Sequence, residues 1–425
     1  MLSLSTRYTM KIITINETIQ GYAYESSHYK NVVMSVRFFI PLEPINNTKT
    51  ALLSHLIRDR NKKYSSKAQM QSFKDNLYGA NISSRTFSYG PTQLLEVRLG
   101  AISERFVKEP LQAKQLSALA DLIYQPLINE ETLKEAKRSL ISRLNRAKEN
   151  PMTYSVLRTF QHLGSHSTLG INPQGSIEDL DHITVDDMLK FHEHVIYNVA
   201  AQIVIAGNFN PKLINSIRIV FKYHEPLGDK QPFNLYHHEP LDTLVEIGPV
   251  NQVSLIEAYQ TGISIEDPLY TAYRLGNVIL GQLPTSHLFQ EVREKNSLAY
   301  SVSSRIIAHE GLLLLTTSLD AQNIQLASDL MRTQVTRIQE GDFSDAQFEA
   351  AKQMLINSLD GISDDEYSII NFVFDSAFRN LSFDVNAHKQ KYENVTREDI
   401  IEAFKEAQPI FQYQLKGEVH EKISE

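Results

Sequence analysis

The chain has 425 residues, 42% hydrophobic and 22% charged. That balance is ordinary for a soluble globular protein, and at roughly 150 residues per domain the length suggests about two to three domains. Its 42 basic and 50 acidic side chains leave a net charge of −8, which gives no electrostatic pull toward nucleic acid or an anionic membrane. There is no cysteine, so disulfide scaffolds, thiolate metal sites and cysteine nucleophiles are excluded. The opening residues lack a basic-then-apolar leader pattern and no 18-residue apolar run occurs, so a cytoplasmic location without a membrane partner is expected.

In chain order, β-like runs are expected at 32–40 and 94–99. Leu111, Leu116, Leu119, Leu122 and Ile123 then fall at helical spacing, and Pro126 stops that helix. A long helix is expected from 129, a helix start at Thr184 with Asp187 three residues on, and a strand at 199–205. The stretch 223–240 is rich in proline and histidine and lacks periodicity, which marks a connection. Strands follow at 244–247, 253–258 and 312–318, then helix starts at Ser344 with Gln347 and at Thr396 with Asp399. Strands that follow strands directly, with helices grouped after them, point to an α+β fold with an antiparallel or mixed sheet.

The chain also repeats itself. Residues 129–144 (NEETLKEAKRSLISRL) match 344–359 (SDAQFEAAKQMLINSL) at an offset of 215, with Ala136, Lys137, Leu140, Ile141 and Leu144 facing Ala351, Lys352, Leu355, Ile356 and Leu359. Residues 183–189 (ITVDDML) match 395–401 (VTREDII), and the strand-like 202–209 (QIVIAGNF) matches 413–419 (YQLKGEV). Three matches in the same order at nearly one offset indicate two copies of one domain. The expected division is 1–222, a linker at 223–242, and 243–425.

Further marks stand in a recognisable order. They are LLSHLIRD at 52–59, YGAN at 78–81, Asn150-Pro151, GSIEDL at 175–180, IAGN at 205–208, and HLFQEVREKNSLAYSV at 287–302. With these the chain resembles the insulinase/pitrilysin (inverzincin) metallopeptidases, and among them the small bacterial members related to mitochondrial processing peptidase. The resemblance implies two homologous half-domains of the processing-peptidase (LuxS-like metallohydrolase) type, each a mostly antiparallel sheet flanked by helices.

Active members of that family carry H-x-x-E-H on a helix. Residues four apart share a helix face, so two imidazoles can bind one zinc ion while the Glu serves as general base. The matching residues here are His55, Arg58 and Asp59: one histidine remains, the base is an arginine and the second ligand an aspartate. A fixed positive charge ~5 Å from a divalent ion costs on the order of 6 kcal/mol at an effective dielectric of 20, and guanidinium cannot take up a proton. The family's third ligand, a Glu on a later helix, aligns with Ala136 or, one heptad on, Arg143. Glu135 is expected on another face. No metal ligand set and no catalytic residue is therefore expected in this chain. His162 and His166 are four apart but have Gly164 between them and no acidic base, His192 and His194 are two apart, wrong for one helix face, and His237-His238 lies in the expected linker, so all read as surface histidines.

The second half keeps Arg293 and Tyr300. In the family this pair faces the zinc site and holds the substrate, and the resemblance implies the same substrate-binding role here. An Arg fork can hold a peptide carbonyl or carboxylate, and a Tyr hydroxyl can donate to a carbonyl oxygen. An ordinary surface pairing of Arg293 with Glu291 or Glu294, with Tyr300 packed in a strand, stands beside that reading. Two-chain members of the family divide zinc and Arg/Tyr between subunits. The resemblance thus implies a zinc-less subunit of a heterodimeric zinc metallopeptidase acting on short or unfolded peptides, with zinc held by a homologous partner. A structural peptidase homologue without a role in proteolysis, and a self-sufficient peptidase with a metal site rebuilt from His55, Asp59 and Glu135, are the alternatives.

Overall fold

The computed structural model describes residues 9–15, 19–221 and 241–418. Of the expected linker at 223–242, residues 223–240, with His237-His238 among them, lie outside the described residues. The strands are β1 (Thr9–Thr14), β2 (Ile19–Glu25), β3 (Asn31–Pro41), β4 (Asn81–Tyr89), β5 (Thr92–Ile102) and β6 (Ala201–Gly207), then β7 (Asp242–Ile247), β8 (Val253–Gln260), β9 (Ala299–Ile307), β10 (Leu312–Leu319) and β11 (Gln408–Lys416). The first six form one sheet in the order β1-β2-β6-β3-β5-β4, the last five another in the order β7-β11-β8-β10-β9. Each sheet is antiparallel apart from one parallel pair, β2 with β6 and β7 with β11. Leaving out β1, the two sheets share one topology, and two mostly antiparallel sheets flanked by helices are what the sequence implied.

The helices of the first half are α1 (Asn46–Asp59), α2 (Lys67–Asn76), α3 (Gln112–Tyr124), α4 (Glu130–Glu149), α5 (Pro151–Leu163), α6 (Val185–Asn198) and α7 (Lys212–Val220). Those of the second are α8 (Tyr270–Gly281), α9 (Ile324–Gln339), α10 (Asp345–Asp360), α11 (Glu366–Phe378), α12 (Val385–Glu393) and α13 (Arg397–Phe404). The repeat is visible in contacts as well as in order. Ala136 and Leu140 on α4, like Ala351 and Leu355 on α10, are buried. The matched lysines do the same work: Lys137 donates to the Ile183 carbonyl at 2.7 Å and Lys352 to the Glu393 carbonyl at 3.1 Å. The helices entered just beyond those carbonyls start on Thr184 and Thr396, each closing a capping box with an Asp at its third position.

The chain divides into two compact units that are discontinuous in sequence: 1–145 with 171–231 and 361–383, and 146–170 with 232–360 and 384–425. Two segments thus cross the division expected between 222 and 243. Helix α5 packs on the second sheet, where Leu163 joins Ile256, Ala258, Phe411 and Tyr413. Helix α11 packs on the first, where Ile369, Ile370 and Val373 join Tyr22, Val33 and Val204. Their N-caps, Asn150 and Asp365, stand 215 residues apart, the offset of the repeat. The other face of each sheet carries its main core, roofed in the first unit by α1, α3, α4 and α6.

Candidate functional site

In the first unit, α1 runs beneath the sheet almost wholly buried and brings His55, Arg58 and Asp59 to its last turn. Arg58 Nη2 lies 2.8 Å from His55 Nδ1. A guanidinium has no lone pair to offer, so Nδ1 accepts and the ring proton sits on Nε2. That Nε2 is buried and has no hydrogen-bond partner among the described residues. Burial first, and then Arg58 and Arg143, push the His55 pKa down to about 3, so the ring is neutral at any physiological pH.

The chain leaves α1 through Arg60, a residue sequence reasoning did not single out, whose side chain is only 7% exposed. Its guanidinium donates to Asp59 at 2.8 Å and to Glu135 on α4 at 2.8 Å, with Glu131 at 3.6 Å. Lys67, at the start of α2, approaches Glu135 at 2.7 Å and Asp59 at 3.9 Å. Glu135 was expected on another face of its helix. It lines the same pocket as His55, Arg58, Asp59 and Ala136, and the Lys67 and Arg60 bonds hold its carboxyl below the usual range. The correction follows from the neighbours: Arg60 and Lys67 draw the flexible Glu side chain around the helix.

These residues do not fit a zinc ion. Zinc is held by unprotonated imidazole and carboxylate donors in tetrahedral array. Here the imidazole's free lone pair is engaged by Arg58, both carboxylates are engaged by Arg60 and Lys67, and Arg143 adds a second guanidinium beside the histidine. Among the described residues no three His, Asp or Glu side chains are placed to hold a metal.

In the second unit, residues Phe289–Lys295 form a π-helical turn anchored by the buried Leu288 and Val292. Leu298 N–H closes on the Val292 carbonyl at 3.0 Å, Ser297 takes positive φ, and the chain enters β9 at Ala299. Wide turns of this kind concentrate at functional positions because they re-aim side chains. Arg293 lies over the Phe289 ring at 4.7 Å, reaches Glu294 only at 4.0 Å, and is 46% exposed. Glu291, the other expected partner, is taken by Lys295 at 2.5 Å and Arg337 at 3.5 Å. Tyr300 is 65% exposed on an edge strand. Both residues are therefore exposed.

Of the other histidines, His162 stacks on Phe411 and bonds Asp242 at 2.9 Å. His192 corrects its surface reading: it is half-buried and bonds the Ile123 carbonyl at 2.7 Å.

The family described as peptidase M16 inactive domain matches residues 182–355. The chain is 27% identical over 408 residues to a probable inactive metalloprotease of Bacillus subtilis (YmfF), covering 94% of this chain and 96% of that one. The chain is similar to the M16 (insulinase/pitrilysin) metallopeptidases and their inactive relatives. Two solved structures share the fold of this M16 homologue. A conserved protein from Enterococcus faecalis V583 superposes with a TM-score of 0.91 at 22% identity, covering 97% of this chain and all of that one. A peptidase M16 inactive domain from Pseudomonas fluorescens gives 0.80 at 16% identity, covering 98% and 99%. The stretch expected to match H-x-x-E-H lies on α1, and Ala136, one of the two positions expected to match the third ligand, lines the pocket below it. No helix of the described residues is long and apolar enough to cross a membrane.

Proposed function

We propose that this M16 homologue is a cytoplasmic, zinc-less subunit of a heterodimeric zinc metallopeptidase. It holds a short or unfolded peptide through Arg293 and Tyr300, while a homologous partner supplies the zinc and the general base. The observation that carries the reading is that the two ends of the family's machinery have parted company. His55 faces a guanidinium where active members place a carboxylate base, yet Arg293 and Tyr300 stand exposed at the surface. A chain that had lost its role in proteolysis altogether has no need to keep that exposed pair. The reading assigns no cofactor to this chain.

The test is reconstitution with an M16 homologue that has intact zinc ligands, scored by co-purification and by cleavage of an unfolded peptide. Arg293→Ala and Tyr300→Phe alter exposed side chains, so folding and pairing should persist. Each should lower kcat/KM of the pair at least tenfold, about the loss of one charge-assisted or transition-state hydrogen bond. Unchanged turnover would leave a scaffolding role instead, and chelator-sensitive cleavage by this chain alone would replace the reading with that of a self-sufficient peptidase.

A further inference from the structure

Arg293 stands on the π-helical turn of Phe289–Lys295, and its side chain is 46% exposed. An exposed arginine moves among many rotamers, and fixing it on a ligand costs side-chain entropy. Here the guanidinium carbon lies 4.7 Å over the centre of the Phe289 ring, four residues earlier. Phe289 is half-buried, and the backbone on either side of it is fixed. Leu288 before it and Val292 after it are fully buried in the core of the second unit. Gln290 donates to the Pro284 carbonyl at 2.8 Å, and Asn296 to the Glu291 carbonyl at 2.7 Å.

The nearby carboxylates leave the guanidinium alone. Glu291 is engaged by Lys295 and by Arg337 on α9. Glu294 reaches Arg293 Nε only at 4.0 Å and is itself 53% exposed, a pairing that solvent screens. The difference matters for what the arginine can still do. A carboxylate partner occupies the in-plane N–H donors, the same donors that a peptide oxygen needs. An aromatic ring meets the cation through its negative face and leaves those donors free.

We infer that Phe289 is a positioning residue for Arg293, whose ring holds the guanidinium ready for a peptide oxygen without occupying a donor. The phenyl ring has no group that can itself bond a peptide, so its effect passes through Arg293 alone. The inference rests on the reading of Arg293 as a residue that holds peptide. It lies wholly within the second unit.

The test has two parts, both on the full chain. In the first, NMR of the arginine Nε–H groups identifies the Arg293 signal by its loss in Arg293→Lys. A ring beneath the guanidinium shifts that signal upfield. Phe289→Leu and Phe289→Met should return it to the position of a free exposed arginine, and Phe289→Tyr should keep it displaced. In the second, the chain is paired with a zinc-bearing homologue and set to cleave an unfolded peptide. Phe289→Leu should lower kcat/KM about two- to fivefold, the strength of one exposed cation–π contact, and Phe289→Tyr should keep the wild-type value. On an Arg293→Ala background Phe289→Leu should cost nothing further, whereas a merely structural role would add its loss in either background. An Arg293 signal unmoved by Phe289→Leu overturns the inference. So does a kcat/KM that Phe289→Leu leaves unchanged while Arg293→Ala lowers it, or a loss that persists on the Arg293→Ala background or is shared by Phe289→Tyr. Unchanged turnover in Arg293→Ala alone is a separate result: it removes the peptide-holding reading, and this inference with it.

Discussion

At the scale of single residues, the substitution of Arg58 for a general base does more than remove a proton acceptor. It fixes the protonation of the surviving histidine. In the folded chain His55 titrates at about 3 because of its burial first, and then the charges of Arg58 and Arg143, whereas in the unfolded chain it titrates near 6.5. Between those two values the unfolded state binds a proton that the folded state refuses, so stability falls as the pH drops from ~6.5 toward 3. Above ~6.5 both states are neutral at this ring and the effect vanishes. The slope from one such group is at most about 1.4 kcal/mol per pH unit. Urea unfolding of the wild type and of His55→Gln at pH 7 and pH 4.5 isolates it. The variant should lose clearly less stability on acidification than the wild type, and parallel losses would mean that His55 titrates normally. The register of this site is also where sequence reading met its limit. That Arg58 and Asp59 spoil the motif is plain from a string of five letters. That Glu135 joins the same pocket is not, because a four-bond side chain near a helix-face boundary goes where its ion partners draw it, and Arg60 and Lys67 lie far from it in sequence.

At the scale of elements, the packing of α11 on the first sheet depends on a buried charge cluster. Glu96 on β5 is fully buried and accepts from Arg37 Nε at 2.7 Å, Arg85 Nε at 2.6 Å and Arg98 Nε at 2.6 Å. Those neighbouring guanidinium groups hold its pKa at about 2 despite burial. Asn371 Oδ1 on α11 accepts from Arg37 at 2.8 Å and Arg98 at 2.6 Å, and Arg37 also lies 4.1 Å from the Phe374 ring centroid. The helix is thus held through arginines that one carboxylate keeps in place. Removing one member of a buried ion network costs about 3–5 kcal/mol, because the remaining charges stay buried and unpaired. Glu96→Gln should therefore lower the urea-unfolding free energy by about that amount. Arg85→Gln, whose side chain is 53% exposed, should cost ~1 kcal/mol or less. Equal and small effects would show that the cluster is solvated. The sequence offered no signal for this cluster. On β5, Leu95, Val97 and Leu99 alternate with Glu96 and Arg98, and charged residues alternating on a strand read as exposed until a helix from a distant part of the chain covers them.

At the scale of the whole molecule, the duplication was legible because each copy buries the same positions, Ala136 and Leu140 in one and Ala351 and Leu355 in the other, and closes the same capping boxes at Thr184 and Thr396. The exchange of α5 and α11 was not, because helical periodicity states that a face is apolar without stating which sheet it will meet. That exchange has a measurable consequence. A chain cut after 221 yields a first fragment without α11 and a second without α5. The first fragment then leaves Tyr22, Val33, Val204 and Ala206 uncovered on one sheet face, and the second leaves Ile256, Ala258, Phe411 and Tyr413 uncovered on the other. Contiguous apolar surfaces of that kind drive association. Residues 1–221 and 241–425 expressed separately should therefore bind a hydrophobic dye and aggregate. Adding residues 361–383 to the first fragment as a peptide should restore a cooperative melting transition to it, because α11 belongs to that compact unit. If the first fragment instead melts cooperatively by itself, without dye binding, then α11 is a dispensable cover on that sheet and the two halves of the sequence fold independently.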